Sequence, residues 1–216
     1  MEIKSLGPVD IVAPTKNEEA RIAYNIGSGF LEENRLDEAE KCFIKAIALD
    51  PLYVDAMDHL GLVYRRQNRL SEAEGIYKES IEINKKNKVP YQNLSIVYRV
   101  QNRLNDVFEL QKKMLELDPN DPEPYFSIGE LFLFTDDYEN AMAFNDKAIE
   151  LYINQKSPYI FDAFYHKGLI LYAINEFDES LKYLEEARKG NPNNERIENS
   201  INEIKRRINK SKTNIA

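Results

Sequence analysis

Four small residues, Gly27, Gly61, Ser95 and Gly129, stand 34 residues apart in stretches that otherwise have the pattern of a helix interior. Glycine inside a helix costs about 1 kcal/mol relative to alanine, so its recurrence needs a structural reason. A step of this length, kept along a chain, is the sequence signature of a tandem structural repeat. The chain is therefore predicted to be built from repeated units.

The repeat step divides most of the chain into five blocks, each aligned on the small residue at its eighth place. The blocks cover residues 20–53, 54–87, 88–121, 122–155 and 161–194. The fifth block is aligned on Gly168, so residues 156–160 are predicted to be an insertion. Residues 1–15 are predicted to form a flexible N-terminal segment, and the alternative is an extended segment that docks in a groove of this or another subunit. Residues 195–216 are predicted to form a capping helix and tail.

Each block is expected to hold two helices, because apolar residues recur at helical spacing on both sides of a short polar turn. Ser71 and Glu74 have the spacing of a capping box, which predicts the start of a second helix. Thr15 and Glu18 have the same spacing and predict a first helix that begins near Lys16. The turn is nearly copied three times, as Asn34-Arg35-Leu36, Asn68-Arg69-Leu70 and Asn102-Arg103-Leu104. Three second helices are predicted to end before a proline, at Pro51, Pro119 and Pro192.

Isoleucines form one apolar stripe on an otherwise charged segment after the last block. Ile197, Ile201, Ile204 and Ile208 recur at the spacing of one helix face. A stacked array needs a terminal element with a polar outer face. This segment is therefore predicted to cap the array.

The charge and composition limit the classes of partner. The chain has 216 residues, of which 43% are apolar and 31% charged, so it can bury a core. Its net charge of −8 disfavours binding to a nucleic-acid backbone. No apolar run is long enough for membrane insertion and no signal peptide is evident, so a cytoplasmic protein is expected.

Residues 195–216 differ in charge from the rest of the chain, with six basic and three acidic side chains. This basic end is expected to be a solvated helix face or a contact for an acidic surface.

Catalytic chemistry is not expected from this sequence. His59 and His166 are the only histidines and lie 107 residues apart, so they are not expected to share a metal ion. Cys42 is the only cysteine and is expected to be a small packed residue rather than a nucleophile. Neither a phosphate-binding loop nor a supported catalytic triad is found. The chain is predicted to be no enzyme and to use no cofactor.

The residues at matching places of the blocks resemble those of the tetratricopeptide repeat family. The first block offers Ala23, Ile26, Gly27, Phe30, Ala39, Phe43, Ala46 and Pro51. The second offers Met57, Leu60, Gly61, Tyr64, Ala73, Tyr77 and Ser80. Lys85 and Ile153 stand where the family has proline, so those junctions are expected to differ. The resemblance implies an all-α, right-handed superhelical solenoid of helix-turn-helix units.

The resemblance also implies a concave groove lined by the first helix of each unit. Polar residues occupy the sixth place of the blocks, where they could bond a peptide backbone or be merely solvated: Asn25, His59, Asn93, Ser127 and His166. Arg65, Arg66 and Arg99 occupy the twelfth and thirteenth places, where they could hold a partner carboxylate or pair with neighbouring acidic residues.

Aromatic residues occupy the implied groove in the later blocks. Phe126, Phe134, Tyr165 and Tyr172 could anchor apolar side chains of a partner, or they could pack between units and under the capping helix. Tyr24, at the fifth place of the first block, completes the candidate peptide-binding set. Some family members clamp the C-terminal carboxylate of cytosolic chaperones with basic residues. That clamp is not expected here, because the corresponding places hold Tyr24, Ser28, His59, Val89 and Asn93.

These patterns predict a non-catalytic scaffold that binds a peptide or helix of another protein in its concave groove. One alternative is a structural or assembly protein that acts by self-association. A narrower alternative is a dedicated chaperone of a secreted or flagellar protein. The identity of the partner and the oligomeric state are not predicted.

Overall fold

The computed structural model describes residues 15–213, and the side chains of residues 15–210. Within this range the chain forms eleven α-helices and no strand, which confirms the predicted all-α repeat fold. The predicted N-terminal segment lies, except for Thr15, outside the described residues. Two compact units divide between Leu110 and Gln111, within one helix.

The first unit contains five complete helices and the start of a sixth. These are α1 (Glu18–Glu32), α2 (Leu36–Leu49), α3 (Val54–Arg66), α4 (Leu70–Ile83), α5 (Lys88–Val100) and α6 (Leu104–Leu117), which continues into the second unit. Each of the first four helices packs against the next, and α3 also contacts both α1 and α5. Helices α1, α3 and α5 therefore form one layer, which we call the first-helix layer of this unit, while α2 and α4 form the other.

The second unit contains the end of α6 and five further helices. These are α7 (Pro122–Phe134), α8 (Tyr138–Gln155), α9 (Ile160–Ala173), α10 (Phe177–Gly190) and α11 (Glu195–Thr213). Each helix from α7 to α10 packs against the next, and α7 also contacts α9. Helices α7 and α9 form the first-helix layer of this unit. On α11, Ile197, Ile201 and Ile204 are buried against Leu184 and Ala187 of α10.

The glycines at the eighth place allow the two helices of a pair to approach closely. A Cβ atom added to Gly61 would lie 2.5 Å from the Tyr77 ring. One added to Gly168 would lie 2.7 Å from the Leu184 side chain, and one added to Gly27 would lie 3.0 Å from Cys42 and Phe43. At these three places the glycine is therefore explained by the side chain that the second helix places against it, whereas at Gly129 the nearest atom is the Asn145 backbone N at 3.3 Å.

Asparagines in the left-handed backbone region close the hairpins of the first unit. Asn34, Asn68 and Asn102 have φ angles of 57°, 61° and 56°. In each case the next backbone N–H reaches back five residues to a helix carbonyl, as in Arg69 N to Tyr64 O at 2.8 Å. Asparagine tolerates this conformation better than most residues, and the bonds satisfy carbonyls at the helix end.

Both predicted capping boxes are wrong. Helix α1 begins at Glu18 rather than near Lys16, because the Asn17 side chain accepts the Ala20 N–H at 3.1 Å and is the N-cap. Helix α4 begins at Leu70, directly after the left-handed turn and with no side-chain cap. Glu74 therefore does not cap the helix.

The three prolines end the second helices as predicted. Each follows the last helical residue by two positions, in α2, α6 and α10. Lys85 follows α4 at the same distance, so the position of that junction does not change. Ile153 lies inside α8, which is 18 residues long and ends at Lys156 in the left-handed conformation with a φ of 54°. Here the missing proline lets the helix continue.

Candidate functional site

Tyr24 and His59 meet between α1 and α3. Their rings lie 5.1 Å apart, edge to face, and Tyr24 also lies 5.7 Å from the ring of buried Phe43. The His59 Nδ1 atom is 2.9 Å from the Asp55 carbonyl, so Nδ1 carries the hydrogen that is donated. Burial raises the pKa of Tyr24. These two candidate residues therefore join neighbouring helices and are half-buried.

The other polar candidates of the first unit differ in exposure. Asn25 and Arg66 are exposed, whereas Asn93, Arg99 and Arg65 are half-buried. The Arg66 guanidinium donates to the Leu31 carbonyl at 3.3 Å. The structure thus places all of them on the first-helix layer, with Asn25 and Arg66 open to solvent.

Arg65 lies beside Tyr77, a fully buried residue of α4. Among the described residues, neither Arg65 Nε nor the Tyr77 hydroxyl has a hydrogen-bond partner. Burial raises the pKa of Tyr77 to about 12, and the charge of Arg65 partly opposes that shift. Both groups are buried, so the Arg65 Nε–H is an unsatisfied donor that is not accessible to a partner.

Asp58 is a buried carboxylate in the same layer, and the sequence analysis missed it. It accepts hydrogen bonds from Ser80 Oγ at 2.7 Å and from Asn87 Nδ2 at 3.1 Å. Burial raises the pKa of Asp58 to about 6, although both hydrogen bonds act in the opposite direction. Asp58 has the fifth place of its block, as Tyr24 has in the first, but its partners Ser80 and Asn87 lie 22 and 29 residues away in sequence, so no local pattern marks the buried cluster.

The copied turns of the first unit form a ladder of arginines, which we call the turn ladder. Each arginine of the ladder lies over the aromatic ring five residues before it. The distances from guanidinium carbon to ring centre are 4.3 Å for Arg35 and Phe30, 4.3 Å for Arg69 and Tyr64, and 4.1 Å for Arg103 and Tyr98. Arg69 and Arg103 also reach back to the preceding helix pair, where they bond Glu40 at 2.7 Å and Glu74 at 2.8 Å. The turn ladder therefore links successive pairs outside the apolar core.

In the second unit, aromatic rings fill the contact between α7 and α9. Phe126 lies 4.7 Å from His166 and 6.4 Å from Tyr152, measured between ring centres. The His166 Nε2 atom lies 3.6 Å from Glu130 Oε1. Phe126 and His166 therefore join the first helices of two successive pairs, as Tyr24 and His59 do in the first unit.

The remaining aromatic candidates differ in their surroundings. Tyr165 and Tyr172 are half-buried and pack against the apolar cluster shared by α10 and α11. The Tyr172 ring lies 5.7 Å from the Phe177 ring. Phe134, in contrast, is 72% exposed at the end of α7. Packing thus explains part of this set, and Phe134 is open for contact.

A cavity of about 250 Å³ opens between α9 and α11, in the second unit. Its lining consists of Leu169, Tyr172, Asn199, Ser200, Glu203 and Ile204. Only Tyr172 among these was predicted as a site residue. Leu169 has a groove place in the repeat, and Ile204 belongs to the apolar stripe of α11. Asn199, Ser200 and Glu203 lie beside that stripe, so the two patterns could have identified only part of the lining.

No group of three or more histidine, cysteine or acidic side chains in the described part of the chain is arranged to hold a metal ion. Cys42 is half-buried beside the position of Gly27. None of the described helices combines the length and the apolar character needed to cross a membrane.

Comparisons with solved structures show the same fold at low sequence identity. A tetratricopeptide repeat protein from Parabacteroides merdae has a TM-score of 0.74 and 20% identity, and the match covers 86% of this chain and 72% of that chain. Pseudomonas aeruginosa pilF has a TM-score of 0.70 and 21% identity, covering 85% and 82%. YrrB, described as a TPR protein with an unusual peptide-binding site, has a TM-score of 0.61 and 21% identity, covering 82% and 89%.

A comparison with curated proteins gives no match. Two family models, both described as tetratricopeptide repeat, match residues 18–86 and residues 122–152 with 161–194. Residues 87–121, between the two, lie outside both matches. Because the matched residues span more than half of the sequence, the chain belongs to the tetratricopeptide repeat family.

Proposed function

We propose that this protein is a non-catalytic scaffold that binds a segment of another protein on its first-helix layers. The family and fold favour protein–protein interaction in general, and the peptide-binding groove is our finer proposal. YrrB, which shares the fold, is described as having a peptide-binding site. The net charge of −8 favours a protein over a nucleic acid as the partner.

The proposal rests mainly on the side chains exposed on these layers, which are polar or basic in the first unit and aromatic in the second. In the first unit Asn25 and Arg66 are exposed and offer hydrogen bonds and positive charge. In the second unit Phe134 is 72% exposed, and half-buried Phe126 lies on the same helix. Aromatic and arginine side chains carry much of the binding energy in protein interfaces. Each layer therefore supplies anchors of a different chemical type.

The remaining candidates take defined roles in this proposal. Asn93 and Arg99 would bond the partner backbone and an acidic side chain in the first unit. Tyr165, His166 and Tyr172 would border an apolar anchor in the second. Tyr24, His59 and Arg65 would contact the partner through the edges that packing leaves accessible.

The test is capture of partners from an extract of the native cell by the full chain and by two triple variants. We expect Asn93→Ala/Arg99→Ala/Phe126→Ala to lose the partner. The matched control Lys41→Ala/Glu79→Ala/Glu150→Ala changes exposed residues of second helices and should retain it. Equal capture by both variants would overturn the assignment of binding to the first-helix layers.

Self-association is a second candidate function, favoured by two isoleucines of α1. Ile22 and Ile26 are each 50% exposed and one helical turn apart. They form a small apolar surface that a second copy could cover. Light scattering over a range of concentrations tests this: a constant monomer mass would exclude it, and a rising mass that Ile22→Glu abolishes would support it.

A further inference from the structure

The cavity between α9 and α11 lies among basic side chains. Positions 196, 199, 203, 207 and 210 of α11 follow the spacing of one helix face. Asn199 and Glu203 of this face line the cavity, and Arg196, Arg207 and Lys210 are exposed on either side of them. The cavity mouth is thus flanked by positive charge in both directions along the helix.

Arg207 is directly connected to the cavity. Its guanidinium carbon lies 5.5 Å from the centre of the Tyr172 ring, and its Nε atom donates to Glu203 Oε1 at 3.1 Å. Glu203, the one acidic side chain in the lining, is therefore already compensated by Arg207. The face as a whole keeps the excess positive charge of Arg196 and Lys210.

The interior of the cavity suits an apolar group. Most of its accessible lining is carbon surface, and Leu169, Tyr172 and Ile204 are among the residues that line it. Its 250 Å³ equals the volume of about eight water molecules in the liquid, enough for a large side chain. Asn199 and Ser200 at its border can bond a peptide backbone.

We infer that this cavity binds a phenylalanine- or leucine-sized side chain of an acidic peptide segment in a partner protein. The inference rests on the proposed scaffold function and assigns one subsite of it. Arg196 and Lys210 lie about 8 and 13 Å along the helix from the centre of the cavity. An extended chain covers these distances in two to four residues, so acidic residues are expected within that range on both sides of the apolar one.

The test measures fluorescence anisotropy of a labelled nonapeptide with one central phenylalanine and two glutamates on each side of it. Ser200→Phe in the full chain fills the cavity. Arg196→Glu/Lys210→Glu reverses the flanking charge at exposed positions and leaves the core unchanged. The matched control Lys41→Glu/Lys45→Glu makes the same change in net charge on exposed residues of α2.

We expect saturable binding that each of the first two variants weakens at least about tenfold, since an apolar anchor or a charge pair contributes on that scale. The control should change the affinity by less than about threefold, through long-range charge alone. A peptide with serine in place of phenylalanine should bind as weakly as Ser200→Phe does to the original.

No saturation at millimolar peptide, or equal weakening by the control, would overturn the inference. Self-association that Ser200→Phe abolishes would assign the cavity to a second copy and also overturn it. If the native partner depends on Asn93, Arg99 and Phe126 but not on Ser200→Phe, the scaffold function stands and this subsite fails.

Discussion

In the first unit, Arg69 and Arg103 each reach from a turn to a glutamate of the preceding helix pair. In the second unit the same places hold Asp137 and Glu176, and no arginine can take that role. Asp137 instead caps its own helix by accepting the Asn140 N–H at 3.2 Å. The first unit thus links successive helix pairs from its turns. The second unit caps α8 locally at that place and links successive pairs from within its helices, as in Lys167 of α9 to Asp146 of α8 at 2.5 Å.

The two units also differ in the polar side chains that they bury. In the first unit, Asp58 is held by the side chains of Ser80 and Asn87. In the second, Asn145 is 1% exposed at the place that holds Phe43, Tyr77 and Leu184 in three other blocks, and its Nδ2 donates to the Ala163 carbonyl at 3.0 Å. Asp58 can therefore titrate, whereas Asn145 is neutral at every pH.

The largest effect is expected where the two units agree, at the close approach of paired helices. Gly61→Ala places a Cβ atom 2.5 Å from the Tyr77 ring and should lower the free energy of unfolding by about 2–3 kcal/mol. Gly75→Ala is the matched control on α4, where a Cβ meets nothing within 4 Å. It should stabilise by about 0.5–1 kcal/mol. Urea unfolding measures both, and equal effects would contradict this explanation of the glycine step.

Asp58 should make stability depend on pH. Its folded pKa of about 6 lies above the unfolded value of 3.8, so the folded state binds the proton more tightly. Its contribution is therefore complete below about pH 4 and is lost as the pH rises through 6, a change of about 2–3 kcal/mol.

Asp58→Asn is neutral and of similar volume, so it should flatten the unfolding free energy between pH 4 and pH 7. Burial also raises the pKa of Glu123 in the second unit, in the same direction. A pH profile unchanged by Asp58→Asn would place the titration elsewhere.

The turn ladder should contribute less than these buried groups. Glu74 bonds Lys78 at 2.7 Å and Arg103 at 2.8 Å, and its side chain is 17% exposed. Burial opposes ionisation of Glu74, but both cations together lower its pKa. Glu74→Gln should cost about 1 kcal/mol, and less in high salt.

Glu72→Gln is the matched control on the same helix. Glu72 bonds Arg69 within its own pair, is exposed, and should have a smaller effect than Glu74. Thermal unfolding at two salt concentrations separates them. If Glu72→Gln destabilises as much as Glu74→Gln, links between successive pairs add nothing to the first unit.

The smallest effect is expected at the end of α8 in the second unit. Lys156 has a φ of 54°, a conformation that costs a residue with a Cβ atom more than it costs glycine. Lys156→Gly should stabilise by about 0.5–1 kcal/mol. Lys182→Gly, inside α10, should destabilise by a similar amount, and thermal unfolding of the two variants gives the comparison.

The periodic features of the fold were predictable because they depend on residues that recur. The glycine step, the prolines and the isoleucine stripe of α11 each report a local requirement that every copy repeats. The starts of the helices were not predictable from spacing. Helix α4 begins shortly after the left-handed residue Asn68 and has no capping side chain. Spacing alone does not distinguish Ser71 and Glu74 from a true capping box.

The candidate site was predictable only in outline. The places of Asn25, Arg66 and Phe134 in the repeat predicted that they lie on first helices, and in the structure they are exposed there. It left open whether Tyr165 and Tyr172 bind a partner or pack under the capping helix, and in the structure they pack against α10 and α11. The Asp58 cluster depends on side chains from three segments, and no periodic pattern brings them together.

The central claim is that a partner lies on the first-helix layers, and photo-cross-linking tests it most directly. A photoreactive phenylalanine analogue would replace Asn25, Arg66 or Phe134, all exposed on first helices. In separate proteins it would replace the exposed second-helix residues Lys41, Glu79 or Glu150. In extract of the native cell, we predict cross-links to one partner from the first set and none from the second. Cross-links from the second set alone would contradict the account.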